Sequence, residues 1–334
     1  MATTPRKVDV LVKLLQIDED ENKTTSLTSR EDSLGSIARL LASNLKDAID
    51  KKELYLVYQP QVDVNGKCIG AESLLRWNHP IVGHIYPPLI IRLAKESGQL
   101  KKLDNYIFDT AASALSVLEN KTDNPCKISV NITGESLMWD KFEEMVDKNV
   151  SRHKVSRDRF WMEITEQDAL SSSIDIMNRI DNLKNKGHKF LIDDFGMGHT
   201  SLLYLQSNNF EIVKIDGTIV RSAAENERYR DIIKSIVYLG NLLNFETVAE
   251  FVETEEQVEL LKSLGINAFQ GYYYSRPIPL DELIEWMKNQ VLCQLVWLTK
   301  INNFTRCRDD VLLHLLFYVN QVTHYKYSIS KMIK

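Results

Sequence analysis

Apolar residues along this chain change their spacing several times, and each change marks an element. Between Ser33 and Lys51, the residues Leu34, Ile37, Leu40, Leu41, Leu45, Ala48 and Ile49 recur every three or four positions, the spacing of an amphipathic helix. Leu54–Val62 then alternates apolar and polar side chains, which predicts a strand. A second apolar run, Cys68–Leu75, follows Asp63-Val-Asn-Gly-Lys. Asn65-Gly66 tolerates positive φ and signals a hairpin, so the first two strands are expected to be antiparallel. Further strand-like runs lie at Lys127–Ile132, Phe160–Ile164, Lys189–Asp193, Ile212–Ile215, Thr247–Ala249 and Ala268–Gln270. Helical patterns separate them, among them Leu103–Leu118, Ile174–Lys186, Tyr229–Leu243 and Glu255–Leu264, and several stop near a glycine such as Gly187 or Gly265.

Eight strands joined mostly by helices make either a closed barrel or an open doubly wound sheet. No GxGxxG opens a helix after an early strand, so the barrel is favoured. The expected fold is α/β: a modified TIM (β/α)8 barrel with an antiparallel first strand. Residues 1–32 read as a polar lead-in and 33–290 as the barrel with its leading helix. Residues 291–334 read as a C-terminal helical extension. A chain of 334 residues has room for one barrel of about 250.

Composition narrows the partners. With 44% apolar and 26% charged residues the chain reads as soluble and globular. A formal net charge of -5 argues against a grip on duplex nucleic acid, which needs a basic face. It leaves room for a small phosphate ligand held through metal ions. Cys68, Cys126, Cys293 and Cys307 form no CxxC or Cys/His pattern, which suits reduced thiols. The start, MATTPRKVDV, has no signal-peptide core. Val311–Val319, interrupted by His314, is too short to span a bilayer. A cytoplasmic protein with no membrane insertion is expected.

The chemistry lies in where polar residues fall. In a (β/α) barrel the C-terminal strand ends converge on one mouth. Glu72 and Arg76 fall at the end of the second strand and Asn131 at the third. Glu163 and Glu166 fall at the fourth, Asp193 and Asp194 at the fifth. Lys214 and Asp216 follow at the sixth, Glu250 and Glu253 at the seventh, Gln270 at the eighth. So many carboxylates on one rim would repel each other unless cations were bound, so the pattern predicts metal. The donors are hard oxygens with no cysteine or histidine, which selects Mg²⁺ or Mn²⁺. Two ions about 3.5–4 Å apart, sharing Asp193, would suit in-line attack on a phosphodiester.

The segments Tyr58-Gln-Pro, Glu72-Ser-Leu-Leu-Arg-Trp-Asn-His-Pro, Asn131-Ile-Thr and Glu163-Ile-Thr-Glu resemble, in order, the motifs of EAL domains. So do Ile192-Asp-Asp-Phe-Gly, Lys214-Ile-Asp, Ala249-Glu-Phe-Val-Glu-Thr and Gln270-Gly-Tyr. The resemblance runs from about Leu45 to Trp286. It implies a modified TIM barrel and Mg²⁺- or Mn²⁺-dependent hydrolysis of cyclic di-GMP to linear pGpG. By matching position, Glu72, Asn131, Glu163 and Asp193 would bind one ion, and Asp193 with Asp194 the second. Glu250 and Gln270 would reach that second ion through water. Lys214 would orient the attacking water, joining Glu72 and Glu250 as catalytic residues. Gln59, Arg76, Asp216 and Glu253 would serve substrate binding, Glu253 as a support, and Glu166 would fix the loop after Asp194. A homodimer is implied, with that loop and the following helix in its interface.

Four positions depart from the usual family pattern. Ser73 replaces alanine, Met197 and His199 stand in the loop after Asp-Asp-Phe-Gly, and Phe251 stands where glycine is common. Phe251 is expected to be a strand residue pointing away from Glu250. Trp77, Trp139 and Trp161 are expected to pack around the barrel, and His79 before Pro80 to serve a turn. The competing functions are a receptor that holds cyclic di-GMP without cutting it, a protein-binding EAL domain, and a different two-metal phosphodiesterase on the same architecture.

Overall fold

The computed structural model describes residues 40–51, 53–122, 125–171, 174–196, 205 and 210–290. The lead-in, the extension beyond 290, and Met197 and His199 lie outside the described residues. The chain divides into two compact units, Met1–Leu280 and Asp281–Lys334. Residues 280–290 are helical. Residues 40–50 form the described end of the helix expected over Ser33–Lys51, with Leu41, Leu45, Ala48 and Ile49 buried.

The described strands are β1 (Leu54–Asp63), β2 (Cys68–His79), β3 (Gly83–Ile85), β4 (Lys127–Ile132), β5 (Phe160–Thr165), β6 (Lys189–Phe195), β7 (Ile212–Ile215), β8 (Glu246–Ala249) and β9 (Ala268–Gln270). Their order is β1-β9-β8-β7-β6-β5-β4-β2-β3, and β1 also pairs with β2, so eight strands close into a barrel. β1 is antiparallel to both β2 and β9, while β2 and β4 through β9 run parallel. This is the TIM-like α/β barrel with an inverted first strand that the alternation predicts.

The β1–β2 hairpin is closed by Asp63, whose carboxylate accepts the Asn65 and Lys67 N–H groups at 2.8 and 2.9 Å, with Gly66 at φ +77°. β3 is an addition to the expected set. β2 runs on past the ring to His79, and Trp77 pairs with Ile85. His79 Nδ1 closes the intervening turn by accepting the Ile81 and Val82 N–H groups, each at 3.2 Å. Glu72 and Arg76 therefore do not close β2; Glu72 lies inside it, beside Ser129 of β4.

Period-two alternation stacks the interior in layers. Leu191, Ile212, Val248 and Ala268 form a buried apolar layer, with Trp161 packed against it. Two residues later along the chain come Asp193, Lys214, Gln270 and Glu163 on the same strands and Glu250 just past the end of β8, one level nearer the mouth. Trp161 thus plugs the lower barrel interior and does not pack around the outside, and Lys127 Nζ sits 4.0 Å from its ring centroid. On the outside, helices cover the opposite strand faces. Phe108 of the helix Leu100–Lys121 packs on Phe142 of the helix Phe142–His153 and on Phe160 of β5, at 5.6 and 5.7 Å between centroids. Cys68 and Cys126 meet between neighbouring β2 and β4; the hydrogen bond with Cys126, then burial, raise the Cys68 thiol well above its ordinary range.

The end of β9 is tightly packed. A Cβ on Gly271 would lie 2.1 Å from the Val252 carbonyl oxygen and 2.3 Å from its nitrogen. Val252 meanwhile donates its N–H to Gln270 at 3.1 Å and accepts that of Tyr273 at 3.0 Å. Gly271→Ala must push these backbones apart. It is expected to cost about 3 kcal/mol, the upper end of ordinary overpacking, read as a lower midpoint in urea denaturation. An unchanged midpoint contradicts the packing described.

Candidate active site

The polar layer converges on one ammonium group. Lys214 Nζ, fully buried on β7, lies 2.8 Å from Glu163, Asp193 and Glu250 and 3.1 Å from Glu72. Its three protons cannot satisfy four carboxylates at once. Asp193 Oδ1 is ion-paired yet accepts no hydrogen bond, and buried Glu163 Oε1 has no hydrogen-bond partner among the described residues. Glu72 is better supplied. Its Oε1 accepts from Asn131 Nδ2 at 2.7 Å, and its Oε2 from Gln270 Nε2 at 2.7 Å and from Lys214.

Asp193 and Asp194 are adjacent, and a regular strand would point them to opposite faces. β6 solves this with a bulge. Ile192 pairs with Val213 and Phe195 with Ile215, so two aspartates stand opposite Lys214 alone. Asp194 takes φ +53°, and Glu166 Oε2, buried at the start of the helix Glu166–Ser171, accepts the Gly196 N–H at 2.8 Å. Carboxylate oxygens of Glu72, Glu163 and Asp193 lie within 4.8 Å of one another, as do those of Asp193, Asp194 and Glu250. Asp193 belongs to both sets.

These residues fit divalent cations. The donors are hard oxygens, two of the buried ones lack hydrogen bonds, and the five carboxylates with one ammonium leave four negative charges when all are ionised. Glu72, Asn131, Glu163 and Asp193 could hold one ion, and Asp193, Asp194 and Glu250 another.

The remaining candidates divide. Gln59 is drawn in: its Oε1 accepts from Gln270 Nε2 at 3.2 Å, and its Nε2 donates to the Ser275 carbonyl at 3.2 Å. Arg76, four residues beyond Glu72 on the same face of β2, is half-buried, and its Nη1 donates to the Leu75 carbonyl. Asp216 caps the helix Gly217–Ala223 by accepting the Thr218 N–H at 2.7 Å. Glu253 is exposed, and its N–H donates to Gln257 Oε1 ahead of the next helix. Phe251 corrects an expectation. β8 ends at Ala249, and Phe251 is an exposed residue at φ +54° with the Arg221 guanidinium 4.9 Å from its ring centroid. That left-handed backbone suits glycine, hence the unusual side chain there. Ser73 is harmless to the site, its Oγ donating to the Ser129 carbonyl at 2.6 Å. One inward residue escaped the sequence reading. Gln61, 1% exposed, donates from Nε2 to Gln270 Oε1 at 2.9 Å. Its place two residues after Gln59 on an alternating strand was the available signal.

The EAL domain family model matches residues 42–277. The chain is 33% identical over 242 residues to the probable cyclic di-GMP phosphodiesterase PdeN of Escherichia coli (strain K12), covering 72% of this chain and 46% of that protein. It is 33% identical to the bifunctional diguanylate cyclase/cyclic di-GMP phosphodiesterase MucR of Pseudomonas aeruginosa, covering 73% of this chain and 36% of that protein. The chain thus spans less than half the length of these relatives. Among solved structures, the PaMucR phosphodiesterase in complex with c-di-GMP superposes with a TM-score of 0.69 at 33% identity, over 73% of this chain and 99% of that one.

Without cations the carboxylates must hold protons instead. Burial pushes Glu163 up to about 8, helped by the charge on Glu72 and opposed by Lys214. Burial pushes Asp194 up to about 6, with the Asp193 charge adding to it. Glu250 is raised well above the carboxylate range by burial and then by Asp193 and Glu72, against Lys214. Glu72 goes the other way: burial alone would raise it, but Lys214, Gln270 and Asn131 hold it below its ordinary value. A carboxyl raised on folding stabilises the fold while protonated, and that contribution is lost as pH climbs through the folded value. The opposite contribution from Glu72 is complete above its ordinary value. In EDTA, melting temperature is therefore expected to fall as pH rises from about 5 through about 8, following Asp194 and then Glu163. Added Mn²⁺ should restore it by an amount that grows with pH. A flat profile in EDTA contradicts this account.

Proposed function

Because the chain belongs to the EAL domain family, we propose that it hydrolyses cyclic di-GMP to linear pGpG with two Mg²⁺ or Mn²⁺ ions. One observation carries this reading: two carboxylate sets joined through Asp193 and built around Lys214 at the mouth of the barrel. A site that only bound a nucleotide would gain nothing from so much like charge packed against a buried ammonium.

Bound cations would activate the attacking water and neutralise the phosphate oxygens. The residues do the rest. Glu72, Asn131, Glu163 and Asp193 hold the first position, Asp193 and Asp194 the second, and Gln270 reaches the site through water. Lys214 Nζ, fixed by its carboxylates, aligns the water and stabilises charge on the phosphorane. Glu250, with Lys214 against its Oε1, accepts the proton that the water gives up. The water oxygen bonds to phosphorus, the bond from phosphorus to the 3′ oxygen breaks, and that oxygen takes a proton from solvent. Gln59, Arg76 and Asp216 hold the nucleotide, the Arg76 fork matching a phosphate, while Glu253 supports the rim and Glu166 the backbone after Asp194.

The same proposal places the barrel with its leading helix at 33–290 and the extension at 291–334. It also takes the protein as a cytoplasmic homodimer. No helix among the described residues is long and apolar enough to cross a membrane.

Glu72→Ala and Asp193→Asn are expected to abolish pGpG formation, followed by chromatography of the nucleotides. Lys214→Ala should lower kcat by about 100- to 1,000-fold, as loss of a preorganised electrostatic group does. Full turnover by Glu72→Ala would sink the assignment. Tight cyclic di-GMP binding with no pGpG in excess Mn²⁺ would favour the receptor instead.

A further inference from the structure

The inverted strand β1 contributes more than closure. It sets Gln59 and Gln61 on the same inner face, two residues apart, beside Glu72 of β2 on one side and Gln270 of β9 on the other. Gln59 pairs in register with Glu72, and Gln61 with Gln270. All four side chains are buried.

The direction of every hydrogen bond in this group follows from one acceptor, Glu72. Both Glu72 carboxylate oxygens accept here, from Asn131, Gln270 and Lys214. Gln270 must therefore present its amide nitrogen to Glu72 Oε2, which it does at 2.7 Å. Its carbonyl oxygen then faces the other way and needs a donor. Gln61 Nε2 supplies it at 2.9 Å. The same Gln270 nitrogen reaches Gln59 Oε1, so Gln59 turns its own nitrogen to the Ser275 carbonyl. Without the Gln61 donor nothing else described holds the Gln270 carbonyl, and the amide can rotate to place an oxygen against Glu72. The resulting repulsion would move a carboxylate of the first cation position.

We propose that Gln61 is a positioning residue: by donating to Gln270 it fixes the amide relay that ends on Glu72, and so sets the affinity of the first position for its divalent cation. This rests on the two-ion phosphodiesterase reading above. Gln61 touches neither the carboxylates nor, in that reading, the substrate. It acts only through Gln270.

Gln61→Met keeps the volume and removes the donor. Its Mn²⁺ dissociation constant, by calorimetry on the full chain without nucleotide, is expected to rise about tenfold, the usual loss when an outer partner of a metal ligand is removed. With cyclic di-GMP, kcat should fall by a similar factor at fixed Mn²⁺, and saturating Mn²⁺ should recover it, while KM stays within about twofold. A packing defect would not be repaired by Mn²⁺ in this way. Because Gln61 acts through Gln270, the double variant Gln61→Met/Gln270→Met should bind Mn²⁺ no more weakly than Gln270→Met alone. Native Mn²⁺ affinity in Gln61→Met, or additive losses in the double variant, overturns the proposal. Should Gln61→Met fail to fold, Gln61→Asn, whose shorter amide cannot reach Gln270, must show the same weakening, and native affinity there overturns it equally. A native protein that binds Mn²⁺ but forms no pGpG would refute the phosphodiesterase reading, while the Mn²⁺ titrations would still decide the relay. A native protein that binds no Mn²⁺ overturns both.

Discussion

A single buried ammonium organises this barrel. Lys214 has no exposed surface, and four carboxylates approach its nitrogen within 3.1 Å from four other strand ends or interiors. Taking one such ion from water costs several kcal/mol, and taking out five is tolerable only because each compensates another. Burial works to lower the Lys214 pKa, but Asp193, Glu163, Glu250 and Glu72 together drive it well above its ordinary value. These carboxylates therefore hold the lysine in its charged form. Its neighbours are not so fixed, since they outnumber its protons and exceed its charge. The excess must be met by protons or by cations, and the fold leaves both possibilities open at the same oxygens.

That centre depends on the layer beneath it. Leu191, Ile212, Val248 and Ala268 fill the barrel one level down, with Trp161 packed against them, so the floor beneath the carboxylates is apolar. The charges meet apolar side chains on that side. An apolar floor strengthens every electrostatic contact above it. It also explains why the lower-layer residues belong to the chemistry although none carries a charge. The inverted β1 then closes the ring with amides in place of a further carboxylate, through Gln59 and Gln61. Amides can donate as well as accept, so they sit beside Glu72 without adding to its repulsion or neutralising it.

Much of this was legible because the relevant periods are short. Alternation over two residues placed eight strands and put the polar residues on one rim. The hairpin after Asp63 signalled the inversion. What escaped depends on tertiary contacts that spacing does not encode. β3 has three residues and exists because β2 overruns the ring. Trp161 is another matter, since it lies two residues before Glu163 on the same strand and alternation already turns it inward. Glu72 seemed to end a strand that in fact continues seven residues further, to His79. Gln61 differs, since alternation alone placed it beside Gln59, and only its amide partner was hidden. Asp216 carries both its expected position and an ordinary capping bond, so its sequence signal was shared between two roles.

The backbone itself bears the cost of this site. Lys154, Asp194, Asn244 and Phe251 are the non-glycine residues with positive φ among those described. Lys154 and Asn244 are helix C-caps, where a left-handed residue is common. The other two have no such excuse. Asp194 follows Asp193 in the bulge, and Phe251 follows Glu250. A left-handed conformation costs a bulky residue such as Phe251 roughly 1–2 kcal/mol, and an aspartate less. Both instances adjoin a carboxylate that faces Lys214, and both turn the chain sharply just after that carboxylate is placed. At Asp194 the turn brings a second carboxylate to the same side as the first, and Glu166 secures it through Gly196. Strain that recurs beside two members of one charge cluster, and nowhere else outside helix ends among the described residues, follows from the geometry the cluster requires.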